Sequence, residues 1–128
     1  MYPPCGNRVL KFVRDRVGES LYAVSVYDMD DFSVLYQRPE IERVFSTGEV
    51  EEYFDLLRTV HRSLYEVEHL NSKVGEPRAN LTYYEGMHVL LLPVDEVNGV
   101  AVAISSESGT QFSAFADECL QRARAPVN

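Results

Sequence analysis

Through the middle of the chain, apolar residues recur at the three-and-four spacing of a helix. Val50, Tyr53, Phe54, Leu57, Val60, Leu64 and Val67 fall on one stripe, and the pattern predicts one long helix from Ser46 to Gly75. Ser46 and Glu49 have the spacing of a capping box, and Phe45 with Val50 occupies the staple positions around it. Val74-Gly75-Glu76-Pro77 supplies the stop. Glu49, Glu51 and Glu52 crowd the first turn and Lys73 the last, as the helix dipole favours. A shorter stripe of Val9, Phe12, Val13 and Val17 predicts a helix from about Arg8 to Val17, closed by Gly18. At the far end Phe112, Phe115, Ala116, Cys119, Leu120 and Ala123 form the cleanest amphipathic stripe. Ser108 and Gln111 repeat the capping-box spacing ahead of it, and Pro126 follows it.

Between the helices the pattern changes to short runs rich in Val and Tyr. Leu21 to Tyr27 and Phe32 to Arg38, separated by Asp28-Met29-Asp30-Asp31, read as a hairpin. Ile41 to Phe45 fits either a short strand or part of the approach to the long helix. Asn80 to Tyr84, Met87 to Leu92 and Val97 to Ile104 follow as a meander with turns at Glu85-Gly86 and after Pro93. Val100 to Ile104 carries no polar residue, which predicts a strand covered on both faces or sitting centrally in the sheet. Its small alanines are expected to let a helix approach closely. The fold class is therefore α/β (α+β): a single domain of order α-ββ-α-βββ-α, with a five-stranded, mostly antiparallel sheet covered by helices. Residues 1–6 are expected to be a flexible lead-in, 7–124 the domain and 125–128 a tail.

Length and charge narrow the reading. A chain of 128 residues has room for one core. No apolar run approaches the roughly 20 residues that cross a bilayer, and Met1 to Gly6 lacks the features of a signal peptide, so no membrane insertion and a cytoplasmic location are expected. The net charge of −8 argues against a nucleic-acid partner. Arg8, Lys11, Arg14 and Arg16 nonetheless make the first helix basic. That face is either a solvated surface or a docking surface for an acidic partner through Arg8, Lys11 and Arg14. Lys11 and Lys73 are the sole lysines in an acidic, arginine-containing chain, a hint of a salt-adapted source. Cys5 and Cys119 match no metal or redox spacing and read as free thiols, Cys119 buried and inert.

Catalytic signatures are missing: there is no phosphate loop, no G-x-G-x-x-G, no H-E-x-x-H and no G-x-S-x-G. His61 and His69 stand two helical turns apart, too far to share one metal, and His61 reads as a packed or half-exposed histidine at the edge of the stripe. His88 is read in the same way. In the Asp28, Asp30 and Asp31 cluster, Ser33 and Pro39 stand where an EF-hand requires glycine and an acid, so no metal and no cofactor are expected. Tyr83 and Tyr84 must point to opposite faces of their strand, so only one can enter the core and the other needs a cover. The apolar surface of the long helix, which widens through Leu56 and Leu70, leaves room for a subunit interface.

The element order and several local patterns resemble the roadblock/LC7 family over roughly Asn7 to Arg124. These patterns are the Tyr27 to Asp31 hairpin before Phe32-Ser33-Val34-Leu35, the long helix, the run Leu81 to Val94, the small-residue strand Val100 to Ile104 and the final helix. The resemblance implies an interaction module without catalysis. Such proteins form homodimers or heterodimers by pairing the third strand and packing the second helix across a two-fold axis, and many bind or regulate small Ras-like GTPases. By position, the implied dimer surface is Tyr53, Leu56 and Arg58 on the exposed part of the long helix, with Asn80, Thr82, Tyr83, Tyr84 and Glu85 on the strand. An uncovered strand carrying two tyrosines would otherwise be a sticky edge. The resulting expectation is a homodimeric scaffold or regulator of a small GTPase. The alternative is a longin-like or PAS-like sensor that binds a small ligand or signalling partner between sheet and helices; one continuous helix between the second and third strands weighs against PAS. An enzyme ranks third.

Overall fold

The strand signals assemble into one five-stranded sheet. The computed structural model describes residues 5–107 and 111–125. Among these, β1 (Leu21–Tyr27) and β2 (Phe32–Gln37) form the hairpin, and β3 (Asn80–Tyr83), β4 (Met87–Pro93) and β5 (Gly99–Ser105) the meander. The spatial order is β2-β1-β5-β4-β3 with every neighbouring pair antiparallel. β5, whose stretch Val100 to Ile104 carries no polar residue, is the central strand, one of the two placements that its composition predicts.

Each face of the sheet has its own core. On one side α1 (Cys5–Val17) and α5 (Phe112–Arg124) bring Val9, Val13, Phe115, Cys119 and Leu120 onto Val24, Val26, Leu90, Val100 and Val102. On the other, α3 (Thr47–Tyr65) sets Phe54 and Leu57 against Tyr27, Val89, Leu91 and Ala101. The capping box at its start is complete. The Glu49 amide donates to Ser46 Oγ at 3.1 Å and the Ser46 amide to Glu49 Oε1 at 2.9 Å.

Three boundaries differ from the sequence reading. The single helix expected from Ser46 to Gly75 is two: α3 ends at Tyr65 and α4 (Glu68–Val74) restarts after Val67, which leaves helical geometry at φ −104°, ψ 59°. The Asn71 side-chain amide donates to the Leu64 carbonyl at 2.9 Å and so occupies an acceptor freed by the break. Val67, which the stripe predicts to be inside, is exposed, and so is Leu70. Nineteen residues of α3 already run roughly 28 Å, enough to cross the sheet. The second difference is α2 (Pro39–Val44), a short helix where Ile41 to Phe45 fits strand or helix approach equally well by pattern, with Pro39 in its first turn. Third, α1 takes in Cys5, Gly6 and Asn7. Gly6 permits close approach there, since a Cβ would stand 2.8 Å from both Val26 and Leu35. Ser108, half of the expected capping box at the last helix, lies outside the described residues, as do residues 1–4 and 126–128.

Candidate functional site

The surface expected to pair with a second copy gathers around the end of the sheet. β3 is an edge strand, joined to β4 alone, with Leu81 opposite Leu90 and Tyr83 opposite His88. Tyr83 and Tyr84 do point to opposite sides, but neither enters a core. Tyr83 is 66% exposed and lies edge-on to His88 and Phe112 at 4.4 and 6.0 Å between ring centres. Tyr84, also exposed, turns toward α3 and meets Tyr53 at 6.5 Å. Burial first, and the neighbouring Tyr84 side chain second, raise the Tyr53 phenol above its usual range. Asn80 is half-buried and Thr82 and Glu85 are exposed. Leu56, 49% exposed on α3, belongs to the same end of the molecule as Tyr53 and Tyr84, with which it shares a cavity lining.

Arg58 departs from the expected surface. It is 7% exposed, and its Nε donates to the Asp28 carbonyl at 2.8 Å while Nη1 pairs with Asp55 at 3.1 Å. The guanidinium ties α3 to the tip of the β1–β2 hairpin and is not offered to a partner. The tip itself is self-contained. Asp28 Oδ1 accepts the amides of Asp30 and Asp31, which hold its carboxyl below the usual range.

On α1, Lys11 is exposed and the Arg14 guanidinium lies 4.4 Å over the Tyr36 ring. Arg8 is engaged elsewhere, donating to the carbonyls of Arg122 and Ala125 at 3.2 and 2.6 Å at the end of α5.

A buried polar chain has no counterpart in the sequence reading. The Tyr27 hydroxyl lies 2.7 Å from His61 Nδ1, and His61 Nε2 lies 2.9 Å from the Asp95 carbonyl. A carbonyl only accepts, so Nε2 carries the proton and Tyr27 donates to Nδ1. His61 has no exposed surface, and burial lowers its pKa, only partly opposed by the hydrogen bonds around Asp95 and Glu96. Burial raises the Tyr27 phenol. The helical stripe places His61 at the margin of the core, but nothing in the sequence announces Tyr27 or Asp95 as its partners. Cys119 is a buried free thiol pushed up to about 12 by burial.

Next to Tyr53 and Tyr84 a cavity of about 780 Å³ opens between α3, α2 and the sheet. Among the described residues no group of three or more His, Cys, Asp or Glu is placed to hold a metal, and no helix is long and apolar enough to cross a membrane.

Residues 7–124 match the model of the family described as Domain of unknown function (DUF7522). No curated protein matches the sequence. Among solved structures, MglC from Myxococcus xanthus superposes with a TM-score of 0.57 at 20% identity, covering 96% of this chain and 99% of that one. The gliding protein MglB from Thermus thermophilus gives 0.55 at 9% identity, covering 98% and 91%. A structure described as MglB with tetrameric arrangement gives 0.50 at 10%, covering 98% and 90%. These likenesses establish a shared fold.

Proposed function

We propose that this chain, which belongs to the DUF7522 family, is a non-catalytic, roadblock/LC7-like interaction module that works in the cytoplasm as a homodimeric scaffold or regulator of a small Ras-like GTPase. The observation that carries the reading is the edge strand β3. Its outer side has no strand partner among the described residues, and beside it stand Tyr83, Tyr84 and the α3 residues Tyr53 and Leu56 with apolar surface open to solvent. Edges of this kind are ordinarily covered or charged, and a second copy related by a two-fold axis would continue the sheet and bury both tyrosines. Asn80, Thr82 and Glu85 would lie along that seam. The fold shared with MglC and MglB, one of them described in a tetrameric arrangement, is consistent with self-association. The GTPase arm rests on the family resemblance, and its docking candidates are Lys11 and Arg14; Arg8 supports them from behind by holding α1 to α5.

Light scattering over a range of protein concentrations, at low and multimolar salt, tests the first arm. A dimer that Tyr83→Asp converts to monomer is the expected result. A wild-type monomer under every condition removes the reading. The second arm is tested by adding the purified chain to a small Ras-like GTPase of the same organism and following nucleotide hydrolysis and co-elution.

A further inference from the structure

The two faces of the central strand pair differ in side-chain size. On the α1–α5 side the register sets Val24 against Val102 and Val26 against Val100, and all four are buried in the larger core. On the α3 side it sets Ala23 against Ala103 and Ser25 against Ala101. Small pairs of this kind let a helix approach closely, yet the buried aromatic of α3, Phe54, is seated at the hairpin-tip end of the sheet, while Tyr53 reaches Tyr84 at the opposite end. At the hairpin tip Phe54 stacks on Phe32 at 4.2 Å and meets Tyr27 at 6.2 Å. The alanine and serine pairs are therefore left under-filled, and the cavity of about 780 Å³ is floored by them. Val44 and Phe45, at the end of α2, join its lining as exposed apolar side chains.

Size, lining and one polar atom together specify an occupant. The volume falls within the roughly 300–1,000 Å³ of small-molecule sites, and apolar side chains dominate the lining. Ser25 is only 5% exposed, lines the cavity, and its hydroxyl makes no hydrogen bond to any described residue. The hydroxyl is not sealed in the core but retains surface on the cavity side, so an occupant can supply the hydrogen-bond partner that the protein does not. The carboxylates of Glu49 and Glu52 also belong to the lining and oppose an anionic occupant.

We propose that this cavity binds a small, uncharged, mainly apolar molecule whose single hydrogen-bonding atom meets Ser25 Oγ. The proposal does not rest on the dimer reading, but the two share surface: Tyr53, Leu56 and Tyr84 line the cavity and stand beside the β3 seam, whereas Tyr83 lies outside the lining.

The test titrates the full chain with N-phenyl-1-naphthylamine, a neutral apolar fluorophore with one N–H. The anionic 1-anilinonaphthalene-8-sulfonate, which has a related ring system, serves as the contrast. Saturable binding of one neutral probe per chain, stronger than that of the anion, is expected. Ala103→Phe fills the floor and should weaken the probe roughly tenfold or more, and Ser25→Ala should weaken it by a smaller factor. Should Ala103→Phe lose the wild-type melting transition, Ala23→Leu at the paired position serves instead. Tyr83→Asp should leave probe affinity unchanged. The proposal is overturned by the absence of saturable binding, by full affinity in the floor-filling variants, or by tighter binding of the anion. Affinity that falls as the protein self-associates overturns it too, assigning the cavity to a helix of the second copy. A monomer that binds the probe would retain this inference and remove the dimer reading, and a dimer that ignores the probe would do the reverse.

Discussion

At the scale of single residues, the most consequential arrangement is the chain from Tyr27 through His61 to Asp95. In the folded protein the imidazole is neutral and fully buried, and its pKa is depressed, whereas in the unfolded chain it titrates near 6.5. The unfolded state thus binds more protons just below that value, and stability must fall as the pH drops from about 6.5 toward the lower folded pKa. Urea unfolding at pH 7.5 and 5.5 measures this. The wild type should lose stability between them, while His61→Gln should be less stable at both, by about 1–3 kcal/mol, with a flatter pH response. A wild type as flat as the variant would show that the ring is not held neutral. Gly99 guards the same chain from the other side. It pairs with Tyr27 across the sheet, and a Cβ there would stand 2.3 Å from ring atoms of Tyr27. Gly99→Ala should therefore cost about 1–3 kcal/mol in the same measurement, because the ring must move away from His61.

At the scale of elements, α3 shows how a face assignment can be tested with neighbouring residues. Leu57 is buried and Leu56 is half in solvent. Leu57→Ala is expected to cost about 2–5 kcal/mol in denaturant unfolding, whereas Leu56→Ala should stay within about 0.5 kcal/mol. Equal costs would mean that the helix is rotated from its described position. The stripe from Val50 to Leu64 was legible because burial repeats with the helical period over the sheet, and the Ser46–Glu49 cap because it is a local exchange of hydrogen bonds. The break at Val67 was not, since Val67 and Leu70 keep the period while lying beyond the sheet that would bury them. The alanines of β5 were legible as small but not as hollow. Whether a helix settles onto them depends on where Phe54 and Phe32 stack, and that is decided by tertiary packing. Tyr27, His61 and Asp95 come from three separate elements or loops, and no sequence spacing links them. The surface place of Arg58 is what the family resemblance implies by position; the hairpin that reaches over to it through the Asp28 carbonyl is a long-range contact that no local pattern announces.

At the scale of the whole molecule, charge separates the two surfaces proposed for interaction. The chain carries −8, so two copies approaching along β3 repel one another at long range. Salt shortens the reach of that repulsion to about 10 Å at 0.1 M and about 3 Å at 1 M. The contact itself would be made by apolar and aromatic surface at Tyr83, Tyr84 and Leu56, which excluded salts favour burying. Self-association should therefore strengthen as salt rises, and the light-scattering mass should move from monomer toward dimer at fixed protein concentration, while Tyr83→Asp stays monomeric. Docking through Lys11 and Arg14 on α1 has the opposite sign, because attraction between a basic helix face and an acidic partner is screened by the same ions. A salt titration with both mass and GTPase co-elution as readouts thus assigns each event to its surface. If self-association weakened with salt, charge pairs would be carrying the contact, and the apolar edge of β3 would not be the seam. If GTPase co-elution strengthened with salt, the basic face of α1 would not be the docking surface, and the contact would have to be sought on apolar ground.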